Sequence, residues 1–374
     1  MTTESVGAKI ERRNLSEIEG SKWHVRSYNK GDEHQILELW RLVFHHRRSL
    51  EHWRWKFQNN PYLEVQAALA YTPFDQKIVG QYTVLPVRIN FRGDSLLGSQ
   101  VVDLMTHPDV QRQGISLKTA QHCYEALQTN DVSIVFSFFS KTSYPGHVKR
   151  LGSKPITPLK QYWLRLNIYS NGLTSKINNF FYSIWLRFRL FKERFVLKHL
   201  QSSMTFRLSR DATFHQSKTV PHGYDELWHT IRPYEVLSIW KDSEYLRWRY
   251  DQNPDREFDY FYLVEGKQII ALAVVTAEAG SDVTICELLA RDRNVLNSRM
   301  LIGRILSYYR DGPYRKIRFI GHDIGFFDEV FDTFRSEIWF SIVFCARVFE
   351  SPELEEYIAH PSNWTLTYGD IDLV

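Results

Sequence analysis

What the 374-residue sequence has little of bounds it first. Its three cysteines, Cys123, Cys286 and Cys345, lie far apart without a C-x-x-C spacing. That excludes a disulfide framework and predicts buried, reduced thiols. No apolar run reaches the roughly eighteen residues of a membrane span; the nearest, 177–200, is broken by Arg187, Arg189, Lys192, Glu193 and Arg194. The amino-terminal MTTESVGAKIERRN has no apolar h-region and no small-residue cleavage site, so the expected compartment is cytoplasmic. Charge of one sign is scarce as well. Against 43 Asp and Glu stand 47 Lys and Arg, a surplus of four, far below that of a protein neutralising many phosphates, so DNA is not an expected partner. The histidines, including the adjacent His45 and His46, lack a ligand spacing on one face, and no metal is expected.

Aromatic residues, by contrast, are plentiful at 15%, and the length exceeds one ordinary domain more than twofold, enough for two cores. A repeat explains the size. Glu51-His-Trp-Arg-Trp-Lys-Phe-Gln-Asn-Asn-Pro61 recurs as Glu244-Tyr-Leu-Arg-Trp-Arg-Tyr-Asp-Gln-Asn-Pro254, with five of eleven positions identical, and a Glu-Leu-Trp tripeptide precedes each copy at 38–40 and 226–228. Matching hairpin patterns follow, 67–71 with 77–87 and 260–264 with 268–275. Then come Val101–Thr106 and Thr284–Leu289, strand-like runs holding one carboxylate each, Asp103 and Glu287. One α+β fold used twice is predicted, each half a mostly antiparallel twisted sheet flanked by helices. Trp53 and Trp55 either pack under the hairpin or line a pocket; amphipathic packing is the simpler reading.

Between the third strand and its helix the first half reads Thr106-His-Pro-Asp-Val-Gln-Arg-Gln-Gly-Ile-Ser116. Pro108 ends the strand, and Gln111-x-x-Gly114-x-Ser116 opens a helix continuing through Leu127. Unpaired N–H groups at that helix start, with the dipole behind them and Arg112 and Lys118 nearby, favour an anion such as phosphate.

Strand, proline, Gln-x-x-Gly-x-Ser and amphipathic helix together resemble the acyl-coenzyme A motif of the GNAT acetyltransferases, with Ser116 where that family has Gly or Ala. The resemblance extends over about residues 23–158, through a strand at Ser133–Phe139 and a turn at Tyr144–Gly152. It implies acetyl-CoA as co-substrate, bound by Leu104, Met105, Thr106, Gln111, Arg112, Gln113, Gly114, Ile115 and Ser116, with the backbone N–H groups of 104–106 on the thioester carbonyl. Aligning Asp103 with Glu287 replaces Gly114 by Ser298 and Ser116 by Met300, so the second half is expected not to bind the coenzyme.

Direct transfer to an amine needs a base and an acid. Asp103, flanked by Val102 and Leu104, is a base candidate if desolvation raises its pKa; His107 is another. The family's usual acidic tyrosine is replaced by Val148, which leaves Tyr144 as a substitute. The domain division expected is a polar tail 1–22, a GNAT domain 23–158, a connector 159–205 and a degenerate GNAT-like domain 206–374. Residues 160–200 carry eight basic side chains against Glu193 alone, with Phe181, Ile184, Phe188, Phe191 and Phe195 at helical spacing. That pattern suits peripheral contact of 177–200 with an anionic membrane at its inner face, or a helical arm with its charges in water. By resemblance the chain is a tandem-GNAT N-acetyltransferase acting on a small-molecule amine. The expected acceptor is an amino sugar of cell-surface polysaccharide synthesis, or a nucleotide- or lipid-linked sugar. The rivals are a Fem-type aminoacyltransferase, against which the intact loop argues, and a non-catalytic acyl-CoA-binding or scaffold protein.

Overall fold

The computed structural model describes residues 23–139, 144–166, 184, 212–278, 280–334, 337–349 and 351–372. The first half runs β1 (His24–Ser27), α1 (Glu33–Phe44), α2 (Leu50–Trp53), β2 (Gln66–Tyr71), β3 (Ile78–Phe91), β4 (Asp94–Thr106), α3 (Ile115–Thr129), β5 (Ile134–Phe139), α4 (Tyr144–Arg150) and β6 (Lys154–Arg165). The second runs β7 (Thr213–Ser217), α5 (Tyr224–Ile231), β8 (Leu237–Ile239), α6 (Ser243–Leu246), β9 (Asp259–Glu265), β10 (Gln268–Ala277), β11 (Val283–Ala290), α7 (Val295–Tyr309), β12 (Lys316–His322), α8 (Phe326–Asp332), β13 (Glu337–Val348), α9 (Pro352–Ala359) and β14 (Leu366–Thr367). Both expected hairpins are present, β2–β3 and β9–β10.

The repeated motif folds the same way twice, and local chemistry shows why. Ser49 caps α2 by accepting from the His52 N–H, and Asp242 caps α6 by accepting from the Tyr245 N–H. Each short helix then relaxes into a π-helical turn, Arg54–Gln58 and Arg247–Asp251. The extra residue in that turn swings the basic side chain and the aromatic after it inward: Lys56, Phe57, Arg249 and Tyr250 are all buried. Trp53 and Trp55 are buried in the core, as the packing reading expects. The two motifs meet. Trp55 Nε1 donates to the Trp248 carbonyl at 2.6 Å, Trp248 Nε1 donates to the Trp55 carbonyl at 3.1 Å, and the rings stack 6.1 Å apart. Reciprocal bonds between equivalent residues are what an internal two-fold axis produces, with the contact made between halves of one chain.

The strands form one continuous sheet in the order β1-β2-β3-β4-β5-β13-β6-β12-β11-β10-β9-β7. Neither half closes its own sheet: β6 lies beside β12 of the second half, and β13 returns to lie beside β5 of the first. Strands β6 and β13 are thus exchanged between the halves, and β6 pairs on both edges, with β12 and β13. The division expected at 158 therefore falls inside β6, and Lys160 and Arg165, assigned to the connector, are strand residues. The rest of the basic amphipathic segment lies outside the described residues apart from Ile184, as do the tail 1–22 and the turn residues before α4. The expected turn after β5 is, from Tyr144, the short helix α4.

The parallel pairs β4–β5 and β11–β12 are each bonded over three residues, Gly98–Gln100 to Ile134–Phe136 and Val283–Ile285 to Ile317–Phe319, and then part. Each half thus has a fork. The second fork is filled by the chain itself: β14 pairs with Gly321 and His322 of β12, and residues 368–370 run on beside β11. Gly369 is required there, because a Cβ would collide with Tyr250 Oη and Glu287 Oε1.

Glu235, just before β8, is a buried carboxyl with a pH consequence. Burial, only partly offset by Ser238 and Lys241, pushes it up from 4.5 to about 7. A carboxyl raised on folding contributes its stability below the unfolded pKa and loses it as pH rises through the folded value. Glu235→Gln is therefore expected to raise the melting temperature at pH 8 and to leave it nearly unchanged at pH 4.5. At about 1.4 kcal/mol per pKa unit the gain is roughly 3 kcal/mol, and equal shifts at both pH values would contradict the assignment.

Candidate active site

The first fork is open. Beyond Gln100 β4 has no partner on its β5 side, so the backbone of Leu104, Met105 and Thr106 borders a cleft of about 1030 Å³. A bulge sits there: Gln81 and Thr83 of β3 pair with Met105 and Val102, and Asp103 adopts φ 49°. Bulges re-aim strand groups, here into the fork. At the mouth, α3 begins with Gly114 at φ 83° and has no side-chain cap, so its first N–H groups point out unsatisfied by any side chain. Nothing lies within 4 Å of where a Gly114 Cβ would be, which leaves room for a ligand to approach that backbone. Arg112, Lys149 and Arg150 line the same cleft and add positive charge.

Of the residues expected to bind the coenzyme, Leu104, Met105, Thr106, Gln111, Arg112, Gly114, Ile115 and Ser116 line this cleft; Gln113 is exposed and does not. In the second half the positions aligned with the loop, 295–300, are the first turns of α7, with Ser298 fully buried. No loop remains there to cradle an anion.

The catalytic candidates separate. Asp103 lines the cleft but is not poised as a base. Its carboxylate takes Arg48 through both guanidinium nitrogens and Lys56 Nζ at 3.3 Å. Burial pushes its pKa up, as the sequence reading supposes, yet Lys56 and Arg48 outweigh burial and hold it below the usual carboxylate range. His107 does not line the cleft. Its Nδ1 accepts from the Asp109 N–H, capping the single turn Pro108–Val110, and burial together with Lys77 lowers its pKa despite Asp109. Tyr144 packs against the core cluster beneath α3, outside the cleft lining.

Two lining residues are not singled out by the sequence reading. His147 of α4 stacks on Phe139 at 3.9 Å, and its Nε2 meets Tyr82 Oη at 3.2 Å, which in turn meets Tyr124 Oη at 2.9 Å. Burial pushes the phenols of Tyr82 and Tyr124 up, so both stay protonated. Asp372 reaches the cleft from the far end of the chain, its Oδ2 bonded to Lys56 Nζ at 2.7 Å. Adjacency to Gly146 could have flagged His147; nothing local could have flagged Asp372.

A splayed parallel strand pair bridged by a helix is the core of the GNAT fold, and this chain carries that fold twice; only the first half pairs it with an open fork and a glycine-led helix. Comparison with known proteins agrees: residues 24–148 match the family model described as an acetyltransferase (GNAT) domain. No curated protein matches the chain. Among solved structures it is similar to a conserved protein of unknown function from Enterococcus faecalis V583, named a probable N-acyltransferase (12% identity, TM-score 0.62, 88% of this chain and 73% of that one). It is similar also to a GCN5-related N-acetyltransferase from Kribbella flavida (11%, 0.59, 89% and 72%). A tandem GNAT protein from the clavulanic acid biosynthesis pathway matches over 87% of this chain and 98% of its own, at 12% identity and a TM-score of 0.55. At such identities the likeness is one of fold. Among the described residues no group of three or more His, Cys, Asp or Glu could hold a metal, and no helix is long and apolar enough to cross a membrane.

Proposed function

We propose that the chain is an acyl-CoA-dependent N-acyltransferase whose first fork binds the donor and whose acceptor is a primary amine. The observation that carries this is the uncapped start of α3 behind Gly114, opening onto a cleft bordered by unpaired β4 backbone. The α3 amides, with Arg112, would hold the pyrophosphate; Lys149 and Arg150 add charge to the same cleft. Acyl-CoA supplies an activated thioester when bound. Backbone N–H groups of 104–106 would take the carbonyl oxygen as negative charge gathers on it. An acceptor held as its ammonium first gives a proton to solvent; the neutral amine nitrogen then forms the new C–N bond as the C–S bond breaks, and the proton that nitrogen sheds balances the one the departing thiolate takes up. His147, backed by Tyr82 and Tyr124, is a donor placed on the cleft wall. An amino sugar of polysaccharide synthesis as acceptor rests on family resemblance alone. Peripheral membrane contact of 177–200 rests on its charge pattern alone.

Gly114→Glu tests the donor site. The new side chain would put a carboxylate where the anion belongs and a Cβ at a positive φ, while meeting no protein atom within 4 Å. Calorimetry is expected to show acetyl-CoA affinity falling at least a hundredfold, about 2.7 kcal/mol, with the fold retained by circular dichroism. Unchanged affinity would refute the coenzyme assignment.

A further inference from the structure

The segment 366–372 belongs to both halves. Its first part closes the second fork, and its buried anchors are charged: Lys241 Nζ lies 2.6 Å from Glu287 Oε2, 2.6 Å from Thr367 Oγ1 and 2.9 Å from Asp370 Oδ1. Tyr250 Oη donates to Glu287 Oε1 at 2.6 Å. Arg249 donates to the carbonyls of Gly369 and Ile371 at 3.1 and 3.0 Å, and Gln100 Nε2 of β4 donates to the Asp370 carbonyl at 3.0 Å. So fastened, the chain delivers Ile371 and Asp372 into the cleft of the first half.

Asp372 arrives where an acceptor must sit. Lys56 bonds both Asp372 and Asp103, and Asp103 is part of the β4 bulge, so the two carboxylates flank one ammonium beside the backbone proposed to hold the thioester carbonyl. The four charges there are not equally open. Side-chain exposure is 2% for Lys56, 3% for Asp103, 10% for Arg48 and 23% for Asp372. Both guanidinium nitrogens of Arg48 that reach Asp103 are spent on it, and Lys56 is spent on two carboxylates. Asp372 Oδ1 has no partner among the described residues. A ligand in the cleft therefore meets a carboxylate oxygen with no partner among the described residues; Arg48 and Lys56 are paired with carboxylates, whereas Arg249, which also acts on Asp372, is hydrogen-bonded only to backbone carbonyls through Nη2, and the nearest charge dominates. The cleft it enters has apolar lining from Val43, Phe44, Phe138, Ile342 and Ile371, alongside polar residues such as Gln100 and Ser137.

We infer that the segment 366–372 forms the acceptor wall of the first cleft and that Asp372 selects acceptors carrying a primary ammonium on an apolar body. The inference rests on the acyltransferase reading for what the cleft is for. It also assigns the degenerate half a task, which is to hold the wall in place.

The test uses the full chain loaded with coenzyme A. Binding of 2-phenylethylamine and of 2-phenylethanol, which differ in the ammonium, is compared by calorimetry at millimolar concentrations. Wild type is expected to prefer the amine by about tenfold or more, Asp372→Asn to reduce the preference to near parity, and Asp372→Glu to restore most of it. Both variants leave Lys56 paired with Asp103, and thermal melting checks that they fold. No amine binding by wild type, no preference over the alcohol, or a preference kept in Asp372→Asn overturns the inference. The two readings fail separately: acetyl-CoA binding without amine preference removes only the acceptor wall, whereas amine preference without acetyl-CoA binding removes only the donor assignment.

Discussion

Lys241→Met is expected to lower the stability of the fold by about 3–5 kcal/mol, with a larger loss at pH 8 than at pH 5. Lys241 is the cation between Glu287 and Asp370, whose side chains are wholly buried. Without it two carboxylates face each other in the core with only Thr367 and Tyr250 as donors, an arrangement tolerated only if one takes up a proton. Burial already raises Glu287 in the wild type, with Lys241 opposing it, and removing the lysine raises it further. A carboxyl raised on folding contributes stability at low pH and loses it as pH climbs through the folded value. Denaturant titrations at the two pH values check the sign; equal losses would show that the network does not depend on charge. Because the same lysine pins residues 367 and 370, acceptor binding should weaken in parallel, while acetyl-CoA affinity holds.

Asp103→Asn separates structure from catalysis at the residue the sequence marks as base. The variant strands Arg48 without a carboxylate and leaves Lys56 to Asp372, so a loss of about 3 kcal/mol is expected. Asp103 is held below the ordinary range, and such a group contributes above its unfolded pKa and loses that contribution only as pH falls through the lower folded value. The stability gap should therefore be constant from pH 5 to 8 and narrow only in more acidic solution. The acid limb of kcat/KM between pH 5 and 8 should be the same in the variant as in wild type, since a carboxylate ionised throughout that range cannot generate the limb. Loss of the limb would return Asp103 to the role of base.

Much of this architecture is legible residue by residue, because the signals are local. The repeated Arg-Trp segment, the hairpin alternation and the Pro108 stop each act through backbone preferences within a few residues, and β2–β3, β9–β10 and α3 lie where those preferences put them. Gly114 works the same way: its replacement by Ser298 in the second half is readable as loss of the loop, and the structure has helix there. Asp103 was legible as a cleft residue and misread in charge state, since the cations that fix its state, Arg48 and Lys56, come from another element 55 and 47 residues away. The turn before Gly152 became α4, and with that His147 rather than Tyr144 faced the cleft.

By itself the sequence determined the elements, their duplication and the Gly114-led helix start that the second half lacks, since each depends on dihedral preference and hydrogen bonding between near neighbours. Tertiary structure alone decided that β6 and β13 change places, that Trp55 and Trp248 close the internal two-fold, and that Asp372 shares Lys56 with Asp103 across 316 residues of chain. Those contacts follow from how the two halves of one sheet satisfy their open edges and how buried charges find partners. Both are settled only when the whole chain packs.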